Sequence, residues 1–156
     1  MTVTFARSRR GSCSRPVIRP SRRHQGPEAR ILIVDDDPAL LEALPEAVHL
    51  RIGAIEIDTC DSAAAAVERL EESEYDAIVT DIKMPGMDGL ALLSVIRERR
   101  PGTPTLLITG HGEGDLGQRA MEGGAFEYIS KPIDRDSFIA SLERAIHSRT
   151  NGSVKS

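Results

Sequence analysis

The sequence predicts an α/β fold, a five-stranded parallel sheet with helices on both faces, and three features predict it. Five short apolar runs, ILIV (31–34), AIEI (54–57), AIVT (77–80), TLLIT (105–109) and FEYI (126–129), are separated by helix-length segments. Several of the runs are nearly continuous, as strands buried on both faces are. Strand and helix alternate throughout, which implies parallel strands joined by right-handed crossovers.

The helices are delimited by local chemistry. Asp37 precedes PALLEALPEAVHL and reads as its cap, with Pro38 just inside the helix, where a missing N–H costs nothing. Pro45 falls inside the same segment and is expected to kink it or split it in two. Asp61 or Ser62 caps AAAAVERLEE, Asp88 caps GLALLSVIRERR, and Asp134 caps RDSFIASLERAIHSR, where Phe138, Leu142, Ala145 and Ile146 share one face. In MPGMDG, Pro85 and Gly86 suit a tight turn, and Gly89 lies near the next helix start.

At 156 residues the chain is long enough for one domain with one core. No apolar run approaches the roughly 20 residues of a membrane span. The net charge of −4 hides an asymmetry. Residues 1–30 carry eight arginines against the single acid Glu28, which leaves 12 basic and 23 acidic residues for 31–156, a net of −11. Residues 1–28 are Arg-, Ser- and Pro-rich without periodicity and read as a basic, disordered extension. A plain solvated extension, a contact to nucleic acid or another anionic surface, and a targeting peptide all fit that composition. The domain itself is placed at 29–149, with a C-terminal tail at 150–156. Only Cys13 and Cys60 are present, in different contexts, so no disulfide framework is expected, and a reducing compartment is.

Polar residues gather at the carboxyl ends of the strands, where open parallel sheets bind ligands. The first run ends in Asp35, Asp36 and Asp37, the third in Asp81, the fourth in Thr109 and the fifth in Lys131. Adjacent carboxylates raise one another's pKa unless a cation lies between them. Mg²⁺ suits such a site, since it binds through one or two carboxylates and shares phosphate oxygens. A carboxylate can attack phosphorus, while an ammonium and a hydroxyl neutralise and hydrogen-bond the phosphoryl oxygens. Singly, each element has a plainer reading: solvated loop acids or caps for DDD, a good strand residue for Thr109, a turn for KP. Their joint placement at four strand ends of one chain favours the phosphoryl chemistry. His24, His49 and His147 lack partners at metal-ligand spacing and read as surface residues.

ILIVDDDP, DAIVTDIKMPGMDGL, TLLITGHG and GAFEYISKPID together resemble the receiver domain of two-component response regulators, over residues 30–149. The resemblance implies a flavodoxin-like sheet of order 2-1-3-4-5. It implies that Asp81 accepts a phosphoryl group from the phosphohistidine of a sensor kinase or phosphotransfer protein, with Mg²⁺ held by Asp36 and Asp81, by Asp35 mainly through water, and by the backbone carbonyl of Lys83. Thr109 and Lys131 are then the phosphoryl contacts, Lys131–Pro132 a cis peptide, and Tyr128 an aromatic switch that turns inward as Thr109 moves. Lys83 and His111 occupy positions that tune the lifetime of the phosphoryl group; His111 reads equally as an exposed loop residue.

The expected role is therefore a signalling switch and not an enzyme, beyond self-phosphorylation from small donors and autodephosphorylation. The Gly-rich segment GHGEGDLGQRAMEGG is expected to be loosely held and, with Tyr128 and the last helix, to form the output face. Output through an unidentified protein partner, as a stand-alone cytoplasmic receiver without a DNA-binding domain, is expected; a homodimer through the fourth helix, fifth strand and fifth helix is a further possibility of the family. Two readings of other classes are a Mg²⁺-dependent phosphohydrolase, which needs a second acid and a cap over its substrate, and binding of nucleic acid through the Arg-rich extension.

Overall fold

A computed structural model describes residues 13–14, 29–110 and 114–155. In chain order the elements are β1 (Cys13–Ser14), β2 (Ala29–Val34), α1 (Pro38–Arg51), β3 (Ile55–Cys60), α2 (Ala63–Glu72), β4 (Ala77–Asp81), α3 (Gly89–Arg99), β5 (Thr105–Thr109), α4 (Gly114–Glu122), β6 (Glu127–Ser130) and α5 (Arg135–Lys155). The described strands form one sheet of order β1-β3-β2-β4-β5-β6. From β2 to β6 every neighbouring pair is parallel, so the five parallel strands run in the expected order 2-1-3-4-5.

Alternate strand residues fill the cores on the two faces of the sheet. Ile31, Ile33, Ile57, Val79, Leu106 and Ile108 pack with Leu44 and Val48 of α1 and with Phe138 and Leu142 of α5. On the opposite face, Leu32, Val34 and Ile78 pack with α2 and α3, and Leu107 with Leu93 and with Ala120 of α4. β4 and β5 are buried along their whole length, the price of being central strands with helices on both sides.

The caps follow the sequence. The Asp37 side chain accepts from Ala39 N–H, Ser62 rather than Asp61 accepts from Ala65 N–H, Asp88 accepts from Ala91 N–H, and Asp134 accepts from Ser137 N–H. Pro45 does not split its helix: α1 runs unbroken from Pro38 to Arg51. An interior proline costs about 3 kcal/mol. Leu44, Ala47 and Val48 around it are buried, and burial of one Leu or Val side chain is worth about 1.5–3 kcal/mol, so packing outweighs the lost bond.

Three further expectations change. α5 continues as helix through Lys155, past the expected end of the domain at 149, because extending an established helix is far easier than starting one. Cys13 and Ser14, expected to lie in a disordered extension, pair antiparallel with Cys60 and Thr59 at the β3 edge. Cys60 is disulfide-bonded, and Cys13, its Cα partner across that edge, is the only other cysteine of the sequence. This corrects the expectation that the two cysteines form no disulfide: proximity came from a long-range strand pairing that linear context does not reveal. The remaining readings of residues 1–28, including His24, lie outside the described residues. His49 is exposed as expected, yet its Nε2 lies 3.1 Å from the carbonyl of Ile55 and ties α1 to the start of β3. Among the described residues, no helix is long and apolar enough to cross a membrane.

A buried polar cluster missed by the sequence reading sits away from the carboxyl ends. Asp58, wholly buried on β3, accepts from the Tyr75 hydroxyl at 2.6 Å and from Arg69 at 2.9 Å. Arg30 lies over the Tyr75 ring, 5.9 Å from its centre, and pairs with Glu56. Burial and the Asp58 charge both push the Tyr75 phenol far above its ordinary range, so it remains a donor to Asp58.

Candidate functional site

Strand register assembles the site. Val34 lies opposite both Cys60 and Thr80, Asp81 opposite Ile108, and Thr109 opposite Ser130, so the carboxyl ends of β2, β4, β5 and β6 come level. Backbone bonds continue past the strands: Asp35 N–H donates to Cys60, Ile82 N–H to Ile108 and Lys131 N–H to Thr109. The residues just beyond β2, β4 and β6 are therefore tied by backbone bonds to the neighbouring strand.

Asp35, Asp36 and Asp81 each offer a carboxylate oxygen, all within 4.8 Å of one another. Asp35 is fully buried, Asp81 nearly so, and Asp36 is exposed. One Asp35 oxygen accepts from Asp37 N–H at 2.9 Å; the other, Oδ2, is buried without a hydrogen-bond partner. Burial pushes the Asp35 carboxyl up to about 6, opposed by the Asp37 N–H and reinforced by the Asp81 charge. An orphaned buried carboxylate oxygen beside two more carboxylates fits a hard divalent cation.

On the other side, Lys131 Nζ donates to Asp81 Oδ2 at 3.1 Å. Burial works against the Lys131 ammonium, but the hydrogen bond to Asp81 and its charge prevail and hold the pKa above the usual range. The peptide bond before Pro132 is cis, as the resemblance implies. Thr109 is buried and its hydroxyl donates to Ser130 Oγ at 3.5 Å, a long bond. Lys83, two residues after Asp81, is exposed on the β4–α3 loop, and Tyr128 on β6 is 41% exposed. His111 lies outside the described residues. The structure thus brings Asp35, Asp36, Asp81 and Lys131 together, with Thr109 on the adjoining strand end and Tyr128 further down β6.

Two residues of this region were not identified as partners from sequence. Ser130 is placed by register beside Thr109, for which the only sequence signal is its position before Lys131. Gly89 was given only a helix-start role; a Cβ there meets the Asp81 carbonyl oxygen at 2.3 Å and the Ile82 Cα at 2.6 Å, while its N–H donates to Ile82. Neither backbone atom can give way cheaply. Gly89→Ala is expected to lower stability by about 3 kcal/mol, read as a urea midpoint shift at unchanged slope.

The arrangement can hold a divalent cation on one side of Asp81 and screen a transferred anionic group with Lys131 on the other. The family model for the response regulator receiver domain matches residues 31–143. The chain is 35% identical over 122 residues to the C4-dicarboxylate transport transcriptional regulatory protein DctD of Pseudomonas aeruginosa, covering 78% of this chain and 26% of that protein. It is 39% identical over 116 residues to the DNA-binding transcriptional regulator NtrC of Escherichia coli K12, covering 74% of this chain and 24% of that one. It therefore spans about a quarter of the length of these regulators. Among solved structures, a response regulator receiver domain protein from Clostridium thermocellum matches with a TM-score of 0.72 and 31% identity, over 78% of this chain and 97% of that one.

Proposed function

The chain belongs to the response regulator receiver domain family, a family of signalling switches, and on that premise we propose that Asp81 is its phosphoryl acceptor. The observation that carries this reading is the pairing of a buried Asp81 carboxylate with Lys131 on one side and with the Asp35–Asp36 acids on the other. An Asp81 oxygen attacks phosphorus of a sensor-kinase or phosphotransfer phosphohistidine; the O–P bond forms, the N–P bond breaks, and the electron pair returns to the imidazole. Lys131 exchanges its bond to Asp81 for one to a phosphoryl oxygen, and the Thr109 hydroxyl leaves Ser130 to donate to another.

Asp36, Asp81 and the Lys83 carbonyl would hold Mg²⁺, with Asp35 acting largely through water. When bound, the ion supplies positive charge between the acids and the incoming phosphoryl group. Lys83 and His111 set the lifetime of the product. The change is then transmitted through Thr109 and Tyr128 to α4, β6 and α5, where Met121 and Tyr128 are exposed, and from there to a protein partner or a second copy. A cytoplasmic location and the absence of catalysis beyond phosphoryl gain and loss belong to the same reading, although the Cys60 disulfide pulls against a reducing compartment.

The test is intact mass after incubation with a small phosphodonor, with and without Mg²⁺. One labile phosphoryl group per chain, formed only with Mg²⁺, is expected. Continuous release of phosphate from an added phosphomonoester, without a stable modified chain, would support the phosphohydrolase instead.

A further inference from the structure

We infer that Gly117 is a positioning residue that holds the resting state of this switch by giving the Tyr128 ring a seat on α4. The inference rests on the phosphoryl-acceptor reading for its functional consequence, while the seat itself rests on geometry alone.

Gly117 lies inside α4, where glycine is the poorest of the residues other than proline. Its place there has a steric reason. A Cβ on Gly117 meets three atoms of the Tyr128 ring, Cε2 at 2.5 Å, Cζ at 2.7 Å and Cδ2 at 2.8 Å. Gly117 is buried, although Tyr128 is 41% exposed, so the ring lies across the helix with its other side toward solvent. No other side chain than glycine leaves that bed open. The atoms in the way belong to the far end of a rotatable side chain, so the ring, and not the fold, yields to a larger residue.

The strand register supplies the second position. Tyr128 pairs with Leu107 and Ser130 with Thr109, so Tyr128, Ser130, Leu107 and Thr109 project from the same sheet face, and Thr109 is the diagonal neighbour of Tyr128. In the structure the Thr109 hydroxyl is turned to Ser130. Thr109 on Ser130 and Tyr128 on Gly117 thus form one consistent resting arrangement. When Thr109 turns toward a phosphoryl group, room opens beside it for the ring. Because Gly117 stabilises only the outward ring, it lowers the population of the binding-competent state, and apparent affinity for a phosphoryl group falls in proportion.

The test compares wild type, Gly117→Ala, Tyr128→Ala and the double variant. Beryllofluoride with Mg²⁺ serves as the phosphoryl probe, and nuclear Overhauser contacts report ring position. In wild type without ligand, the Tyr128 ring should contact Gly117 Hα, and the contact should vanish when beryllofluoride binds. Gly117→Ala should lose the contact without ligand and bind the probe about fivefold more tightly. In the Tyr128→Ala background the same substitution changes only helix propensity, and the gain should be absent. A ring that stays on α4 in Gly117→Ala, an unchanged affinity, or an equal gain without Tyr128 overturns the inference. If wild type binds no beryllofluoride, the phosphoryl-acceptor reading fails, and the ring contacts in the unliganded proteins decide the seat on their own.

Discussion

Asp81→Asn is expected to abolish Mg²⁺-dependent phosphorylation, with a fall in rate of about a thousandfold or more. The amide oxygen of asparagine still accepts a hydrogen bond from Lys131, so the fold and the Lys131 position survive while the nucleophile is gone. The substitution also removes one of the charges that raise the Asp35 carboxyl, whose pKa should therefore fall. Mass spectrometry after phosphodonor treatment reads the first effect, and carboxyl-carbon NMR of Asp35 reads the second. Phosphorylation undiminished in Asp81→Asn would move the acceptor to another carboxylate, with Asp36, exposed in the same cluster, the first to examine.

Asp35→Asn is expected to stabilise the protein at pH 7 in the absence of Mg²⁺ and to weaken its affinity for that ion. The folded carboxyl titrates at about 6 against 3.8 for the free group, so the folded state binds the proton more tightly than the unfolded state does. Stability from this group is complete below about pH 4 and is lost as pH rises through about 6, amounting at most to about 3 kcal/mol. Asparagine keeps the bond from Asp37 N–H and carries no buried charge, so the variant should gain about 2 kcal/mol at pH 7 and nothing at pH 4. Mg²⁺ should shrink or reverse the advantage by binding the wild-type folded state more tightly than the variant. Urea titrations at both pH values, with and without Mg²⁺, read all four conditions. A wild type as stable at pH 7 as at pH 4, relative to Asp35→Asn, would mean that the Asp35 charge is well solvated.

Much of the site was legible because its chemistry lies at strand ends, and strand ends are marked by where apolar runs stop. Asp35 and Asp81 directly follow such a run, Thr109 closes one, and Asp36 and Lys131 lie one residue further on. Caps were legible for a similar reason: Asp37, Ser62, Asp88 and Asp134 bond to backbone only two or three residues away. Pro45 misled because local propensity speaks for splitting the helix, and only the burial of Leu44, Ala47 and Val48 outvotes it.

Alternating apolar runs, together with the receiver resemblance, carried the fold class, the strand order and the identity of the groups at the carboxyl ends. Folding in three dimensions was needed to leave Asp35 Oδ2 orphaned, to turn Thr109 to Ser130, to bring Gly89 against the Asp81 carbonyl and Tyr128 against Gly117, and to pair Cys13 with Cys60 across a sheet edge. Patterns and caps arise from interactions within a few residues and leave a local trace. These other relations join residues on different elements, and their distances are set by strand register and helix packing, which no local stretch of sequence encodes.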